Sequence, residues 1–213
     1  MTGFPAPRTL FLATASLLAA FGFSSCGSSP GPLGYGQDTR NKMIVSVRDQ
    51  KMLLVRDGAP IKSYKISTSK FGMGDRPGSN CTPLGRLQVA KKIGDNAPIG
   101  SVFKSRRRTG EVLAPNAPGR DPVVTRILWL TGTEQRNQNA FRRTIYIHGT
   151  PEERRLGNPA SFGCIRMGSK DVADLYNRVG YGADVFVIRG SISTKKEGQA
   201  TASAGKTGFR SGS

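Results

Sequence analysis

Ile147-His148-Gly149-Thr150, answered sixteen residues beyond the histidine by Cys164 within Ser161-Phe162-Gly163-Cys164-Ile165-Arg166-Met167, is the stretch on which the reading of this chain turns. Thr144-Ile145-Tyr146-Ile147 is β-branched and aromatic, so it predicts a strand ending at His148, where rigid scaffold meets loop. Gly149 is expected to free the backbone to turn, and Gly157-Asn158-Pro159 punctuates the charged loop before the chain returns at Ser161. Beyond Met167 the period changes. Ser169 suits an N-cap, Asp171 a first turn, Val172, Leu175, Tyr176 and Val179 form an apolar stripe, and Gly180 suits the stop of a helix.

Outside that stretch the signals are mostly those of strands. Residues 42–47 and 51–56 predict a hairpin around Arg48-Asp49-Gln50, and residues 61–68, 86–91, 123–130 and 184–189 continue the pattern. The fold expected is mainly β, a sandwich with one prominent helix directly after the cysteine loop. Residues 94–121 look irregular, and so long a connection in a compact domain is expected to hold short elements or to act as a lid. Trp129, the only tryptophan, reads either as core or as a wall of the cleft.

His148 is the only histidine in the chain. A thiol near its ordinary pKa is only a few per cent thiolate at neutral pH, so a cysteine nucleophile needs a base or a cation beside it. Taken singly, Cys164 reads as a small buried hydrophobe and His148 as a satisfied strand-end residue; their shared surroundings favour a nucleophile and its base. On that reading Cys164 titrates below a free thiol. Gly163 lets the chain approach a substrate closely, and the N–H groups around Gly163 and Cys164 would face a developing oxyanion. Arg166 is either a fixed cation for the site or one half of a surface ion pair.

These residues resemble the L,D-transpeptidases with a YkuD-type catalytic domain, which act on bacterial peptidoglycan. The likeness is carried by the His-Gly-Thr turn, Leu156-Gly157, the run from Ser161 to Arg166, Thr82-Pro83-Leu84-Gly85 and Gly182-Ala183-Asp184-Val185. It spans about 150 residues, an ordinary domain size. Phe162 departs from it, standing where many members carry a second histidine. The resemblance implies that Cys164 attacks the carbonyl of the diamino acid at the third position of a stem tetrapeptide and expels the terminal D-alanine. His148 would hold the thiol proton and Gly149 main chain would orient the ring. Ser161 would tie the loop together, and Arg166 would receive a substrate carboxylate or brace the site. An amine acceptor would give cross-linking or D-amino acid exchange. Water would give L,D-carboxypeptidase activity on the same scaffold. A non-catalytic wall-binding lipoprotein is the reading if Phe162 has disarmed the site.

The amino terminus reads as an export signal over residues 1–25, with Arg8 before an apolar run too short for a good membrane span. Phe23-Ser24-Ser25-Cys26 resembles a bacterial lipobox, so Cys26 is the candidate for lipid attachment, with residues 26–41 as a flexible tether. The catalytic domain is then expected over residues 42–190 and a disordered basic tail over 191–213. The protein is accordingly expected in the periplasm or cell envelope, lipid-anchored at Cys26. Cys81 is left over; an oxidising compartment permits a disulfide with Cys164, but a free thiol is the expectation. No Cys-x-x-Cys pair or second histidine offers a zinc site, so neither metal nor organic cofactor is expected.

Net charge is +18, with clusters at Arg106-Arg107-Arg108, Arg142-Arg143 and Arg154-Arg155. Such a surface would concentrate an anionic cell-wall polymer by attraction that salt weakens. Nucleic acid is the rival for this charge, and the export signal together with the lack of a nucleic-acid motif argues against it.

Overall fold

The computed structural model describes residues 36–194 and 200–202. The export signal, Cys26 and the first half of the tether lie outside them. Among the described residues the elements are β1 (Asn41–Ser46), β2 (Lys51–Arg56), β3 (Ala59–Ser67), β4 (Gly85–Ile93), β5 (Ser101–Lys104), β6 (Arg107–Val112), β7 (Val123–Gly132), β8 (Tyr146–Gly149), β9 (Ile165–Met167), α1 (Ser169–Arg178), β10 (Asp184–Ile188), β11 (Ile192–Thr194) and β12 (Ala200–Ala202). Among them no helix is long and apolar enough to cross a membrane.

Alternation decides the first hairpin. Met43 and Val45 of β1 point inward with no exposure, and Arg48-Asp49-Gln50 turns the chain, with Gln50 at φ 49°, into antiparallel β2. Hydrogen bonding then runs β4-β10-β1-β2-β3-β9-β8-β7, and β7 pairs back onto β4. The sheet expected as a sandwich therefore closes on itself in a barrel-like circuit, which removes most of its edges. The β1–β10 and β8–β9 pairs are parallel and the rest antiparallel. Leu54, Ile66, Leu87, Leu128, Ile147 and Ile165 are fully or almost fully buried in one core. Each contributes about 2 kcal/mol relative to exposure.

The predicted helix forms, but its ends are built differently. Gly168, not Ser169, is the N-cap, and it offers no side-chain oxygen. Glu153 supplies the missing acceptor, its Oε1 taking the Ser169 N–H at 2.8 Å. Glu153→Ala is expected to cost about 1 kcal/mol, read from the midpoint of chemical unfolding; an unmoved midpoint would show the helix start to be satisfied otherwise. At the other end Lys92 donates to the carbonyls of Tyr176 and Val179 at 2.8 and 2.7 Å, a cation on the last turn. Gly180 is needed for space rather than for a left-handed stop: a Cβ there would lie 2.9 Å from Asp38 Cβ. Val172, Leu175 and Tyr176 bury the helix against β7 and β8, so α1 supports the strand that carries His148.

Three boundaries shift. Asp38 already bonds to the N–H of Gly180 at 2.6 Å and to Asn41, which opens β1, so the end of the tether is docked on the domain. β8 begins at Tyr146, because Thr144 sits at φ 55° in a closing turn, and it runs through Gly149. Composition left the chain unfolded from Ser191, yet β11 pairs with β12 in a separate two-stranded ladder; residues 195–199 and 203–213 lie outside those described. The irregular connection of residues 94–121 holds the β5–β6 hairpin, closed by Ser105 and Arg106 at φ 49° and 67° and joined to β7 through Val102 and Phe103.

Candidate active site

Two faces of β7, β8 and β9 do different work. Leu128, Leu130, Ile147 and Ile165 enter the main core, whereas Ile127, Trp129, Tyr146 and Cys164 join Phe103 and Ala97 in a second apolar cluster under the β5–β6 segment. The period of two in a strand enforces this split. Ile147 is registered with Ile165, and His148 with Arg166. Cys164 therefore shares a face with Tyr146, His148 and Arg166, and His148 lies one strand across and two residues along from it. The bulge in β7 between Val124 and Ile127 falls beside this pair, with Thr125 at φ 70° accepting the Gly100 N–H through Oγ1 at 2.9 Å. Bulges of this kind re-aim side chains next to functional sites.

The histidine is oriented by its own strand. His148 Nδ1 lies 2.7 Å from the Gly149 carbonyl oxygen, so Nδ1 carries the proton and Nε2 keeps its lone pair. Gly149 was expected to supply a turn. It stays in the strand instead, and glycine is required there because a Cβ would stand 2.7 Å from the Val124 carbonyl oxygen and 3.1 Å from Val172 Cγ1. Burial pushes the imidazole down to about 4, against a smaller upward pull from the Gly149 carbonyl.

Cys164 accepts the Tyr146 N–H at 3.4 Å, and its thiol is directed at the Thr144 carbonyl at 3.5 Å rather than at His148. Burial raises the thiol to about 11, opposed by the Tyr146 N–H and by the charge of Arg143. The lowered thiol pKa expected from the sequence is thus reversed in sign, because desolvation outweighs the cation. Alkylation of Cys164 by iodoacetamide, mapped apart from Cys81, is expected to climb about tenfold per pH unit from 7 to 10 without a plateau. A plateau near pH 8 would show an activated resting thiolate and contradict the burial.

The loop before Cys164 is held from several sides. Ser161 Oγ donates to the Cys164 carbonyl at 2.6 Å and accepts the Gly163 N–H at 3.2 Å. Gly163 stands at φ 118°, and a Cβ would lie 3.2 Å from the Cys81 carbonyl oxygen, so glycine is demanded by backbone as well as space. Its N–H, offered in the sequence reading to an oxyanion, is here given to Ser161. Thr82 Oγ1 donates to the Gly163 carbonyl at 3.0 Å and accepts the Ser69 N–H at 3.0 Å. Cys81 is a free thiol beside this loop, its Sγ donating to the Phe71 carbonyl at 3.1 Å, and Cys164 is free as well.

Arg166 is buried, ion-paired with Asp121 and 3.5 Å from Glu152. Thr150 Oγ1 donates to the second oxygen of Asp121. This network ties the nucleophile strand to the segment entering β7 and to the loop after His148. Burial lowers the Arg166 pKa, yet an arginine keeps its charge in such a setting. Trp129 stacks on Phe141 with centroids 4.2 Å apart, donates to the Phe141 carbonyl at 3.1 Å, and carries the Arg106 guanidinium 4.9 Å over its ring. It is thus packed, meeting Tyr146 edge-on, with the hairpin tip resting on its ring. Among the described residues no three His, Cys, Asp or Glu side chains converge as a metal site would require.

Residues that the sequence reading named only within a basic cluster or a turn, or not at all, also hold the site. Arg143 forms a buried pair with Asp75 at 2.8 Å and donates to the carbonyls of Gly74 and Cys81 at 3.0 and 2.7 Å, placing a cation behind the nucleophile loop. Thr82 was named only as part of the Thr-Pro-Leu-Gly turn, without its hold on Gly163. Asp121, Glu152 and Asp75 carried no local signal, since their partners are far along the chain.

In this mainly-β domain the half-buried Cys164, just before β9, and the carbonyl-oriented His148 of β8 are brought to one face by two neighbouring parallel strands. The chain matches YkuD, the L,D-transpeptidase catalytic domain, over residues 40–188, and it belongs to that family. Among curated proteins none matches. Solved structures similar to it include L,D-transpeptidases from Mycobacterium smegmatis (18% identity, TM-score 0.45, 70% of this chain and 58% of that one) and Mycobacterium tuberculosis (20%, 0.46, 70% and 58%). A third is the L,D-transpeptidase from Xylanimonas cellulosilytica (17%, 0.46, 75% and 64%). The chain spans roughly six tenths of the length of these structures.

Proposed function

We propose that this domain is an L,D-transpeptidase that acts on peptidoglycan stem tetrapeptides through a thioester on Cys164. The observation that carries the reading is the lock of His148 Nδ1 on the Gly149 carbonyl, 2.7 Å away, which leaves Nε2 basic on the sheet face that bears Cys164. With its pKa near 4, the imidazole is neutral throughout the physiological range and available to take a proton. The thiol leaves the Thr144 carbonyl and gives its proton to Nε2 while Sγ attacks the carbonyl of the third-position diamino acid. The S–C bond forms, the C–N bond to D-alanine breaks, and the imidazolium returns the proton to the leaving amine. An acceptor amine then attacks the thioester, the new C–N bond replacing the S–C bond while His148 passes the amine's proton to the departing sulfur, which restores the Cys164 thiol and yields a cross-link or an exchanged stem.

Since the resting thiol is strongly protonated, activation belongs to the substrate-bound site, and proton transfer accompanies attack. Arg143 favours the sulfur's developing negative charge. Arg166 braces the site through the ion pair of its Nη1 with Asp121, while its buried Nε and Nη2, without a hydrogen-bond partner among the described residues, are left to receive a substrate carboxylate; Gly163 N–H serves an oxyanion only by releasing Ser161.

Incubating the full chain with a disaccharide tetrapeptide, with and without excess D-amino acid, tests the reading. Release of D-alanine with exchange is expected. Release by water alone would make the domain an L,D-carboxypeptidase. No release, with Cys164 unreactive, would overturn the reading in favour of a non-catalytic wall-binding protein.

Export and lipid attachment at Cys26 complete the proposal, with the basic surface drawing the protein to an anionic wall polymer. Cys26→Ser is expected to move the protein from the membrane fraction to the soluble one. Unchanged fractionation would remove the anchor.

A further inference from the structure

Lys70, Phe71 and Phe162 form an exposed cluster that the mechanism does not use. Phe162 is 63% and Phe71 50% exposed, unusual for large apolar side chains, and their rings pack against each other with centroids 5.4 Å apart. Lys70 Nζ stands 4.4 Å from the Phe162 centroid and 5.2 Å from that of Phe71. The cluster is fastened to the nucleophile loop: Ser69 bridges Ser161, the Lys70 N–H donates to the Ser161 carbonyl at 3.1 Å, and the Phe71 N–H donates to Ser69 Oγ at 2.9 Å. Phe162 is two residues from Cys164. Two apolar rings held in water by a rigid loop cost solvation that packing does not recover, so their exposure asks for a ligand.

Resting on the proposed function, we infer that Phe71 and Phe162 form a saccharide subsite that binds the sugar bearing the stem peptide, with Lys70 pairing to a free carboxylate of the stem beyond the sugar. The occupant follows from chemistry and reach. The face of a pyranose presents weakly positive C–H groups to the negative face of an aromatic ring. The stem beyond it carries carboxylates, which suit an ammonium at the ring edge. Three stem residues separate the sugar from the scissile carbonyl, about 10 Å of extended chain. Two residues, about 7 Å, separate the α-carbons of Phe162 and Cys164 at most, and the length of the phenyl side chain supplies the remainder.

The test compares kcat/KM of the full chain for a disaccharide tetrapeptide and for the same tetrapeptide without sugar. In Phe162→Ala the ratio of the two is expected to fall about tenfold. Phe71→Ala should lower it less, and Phe162→Tyr should restore it. A ratio unchanged in both alanine variants overturns the subsite, whatever the absolute rates. If the wild type turns over neither substrate, the proposed function fails and calorimetric titration with the peptide-free disaccharide decides separately. Heat that disappears in Phe162→Ala upholds the subsite, and absence of binding to the wild type overturns it.

Discussion

Cys164→Ser is expected to lower D-alanine release by about four orders of magnitude or more while the domain stays folded. The sulfur accepts one main-chain N–H from Tyr146 and faces one carbonyl at Thr144, and a hydroxyl can make both contacts. What serine lacks is the thiol's acidity. Even raised to about 11, the thiol lies well below an alcohol, so His148 can take its proton during attack at far lower cost. Unfolding midpoints of the two proteins should agree closely, and the rate difference then reports chemistry alone. Turnover retained by the serine variant would move the nucleophile elsewhere, with Cys81, the other free thiol among the described residues, the first suspect.

His148→Ala carries the second large effect, a loss of about 10² to 10⁴ in kcat/KM. The pH profile separates a base from a structural role. Burial depresses the pKa of His148, so the neutral, proton-accepting form persists down to about pH 4, and the acid limb of wild-type kcat/KM attributable to it should fall there rather than near 6.5. The alanine variant should lose that limb along with the rate. It also removes the Nδ1–H donor from the Gly149 carbonyl, at about 1 kcal/mol of stability. A variant that is destabilised yet as active per folded molecule as wild type would reduce His148 to a packing residue.

Much of this architecture was legible because its cause is local. The alternation in β1 and β2, the stripe of α1 and the Gly-Cys-Ile-Arg run can each be read from neighbouring residues, and the structure forms those elements. The ends of α1 were not legible. Ser169 looks like an N-cap, but the acceptor came from Glu153, sixteen residues earlier and brought close only by tertiary folding. Gly149 and Gly180 show the same limit: both were read as conformational freedom, and both are needed for the close approach of another segment.

In the site, the two principal side chains were legible because a lone histidine and a cysteine in a glycine-flanked loop are uncommon in so basic and histidine-poor a chain. Their electrostatics were not. Composition around Cys164 suggested a cation and a lowered pKa, whereas the apolar cluster of Phe103, Ile127 and Tyr146 packs against the half-buried residue and desolvates its thiol. Under the proposed mechanism, activation then falls to the substrate-bound site rather than to a standing thiolate. The network of Asp121, Arg166 and Glu152 and the pair of Arg143 with Asp75 join segments far apart in sequence, so only the closed sheet reveals them.

The central claim is that acyl transfer passes through Cys164. Mixing the full chain with stem tetrapeptide in the absence of an amine acceptor, quenching in acid and mapping the peptides by mass tests it most directly. The chemistry predicts one tripeptidyl group on the peptide containing Cys164, cleaved by hydroxylamine as a thioester and absent from Cys164→Ser. Release of D-alanine with no adduct on Cys164, or with the adduct on another residue, would contradict it.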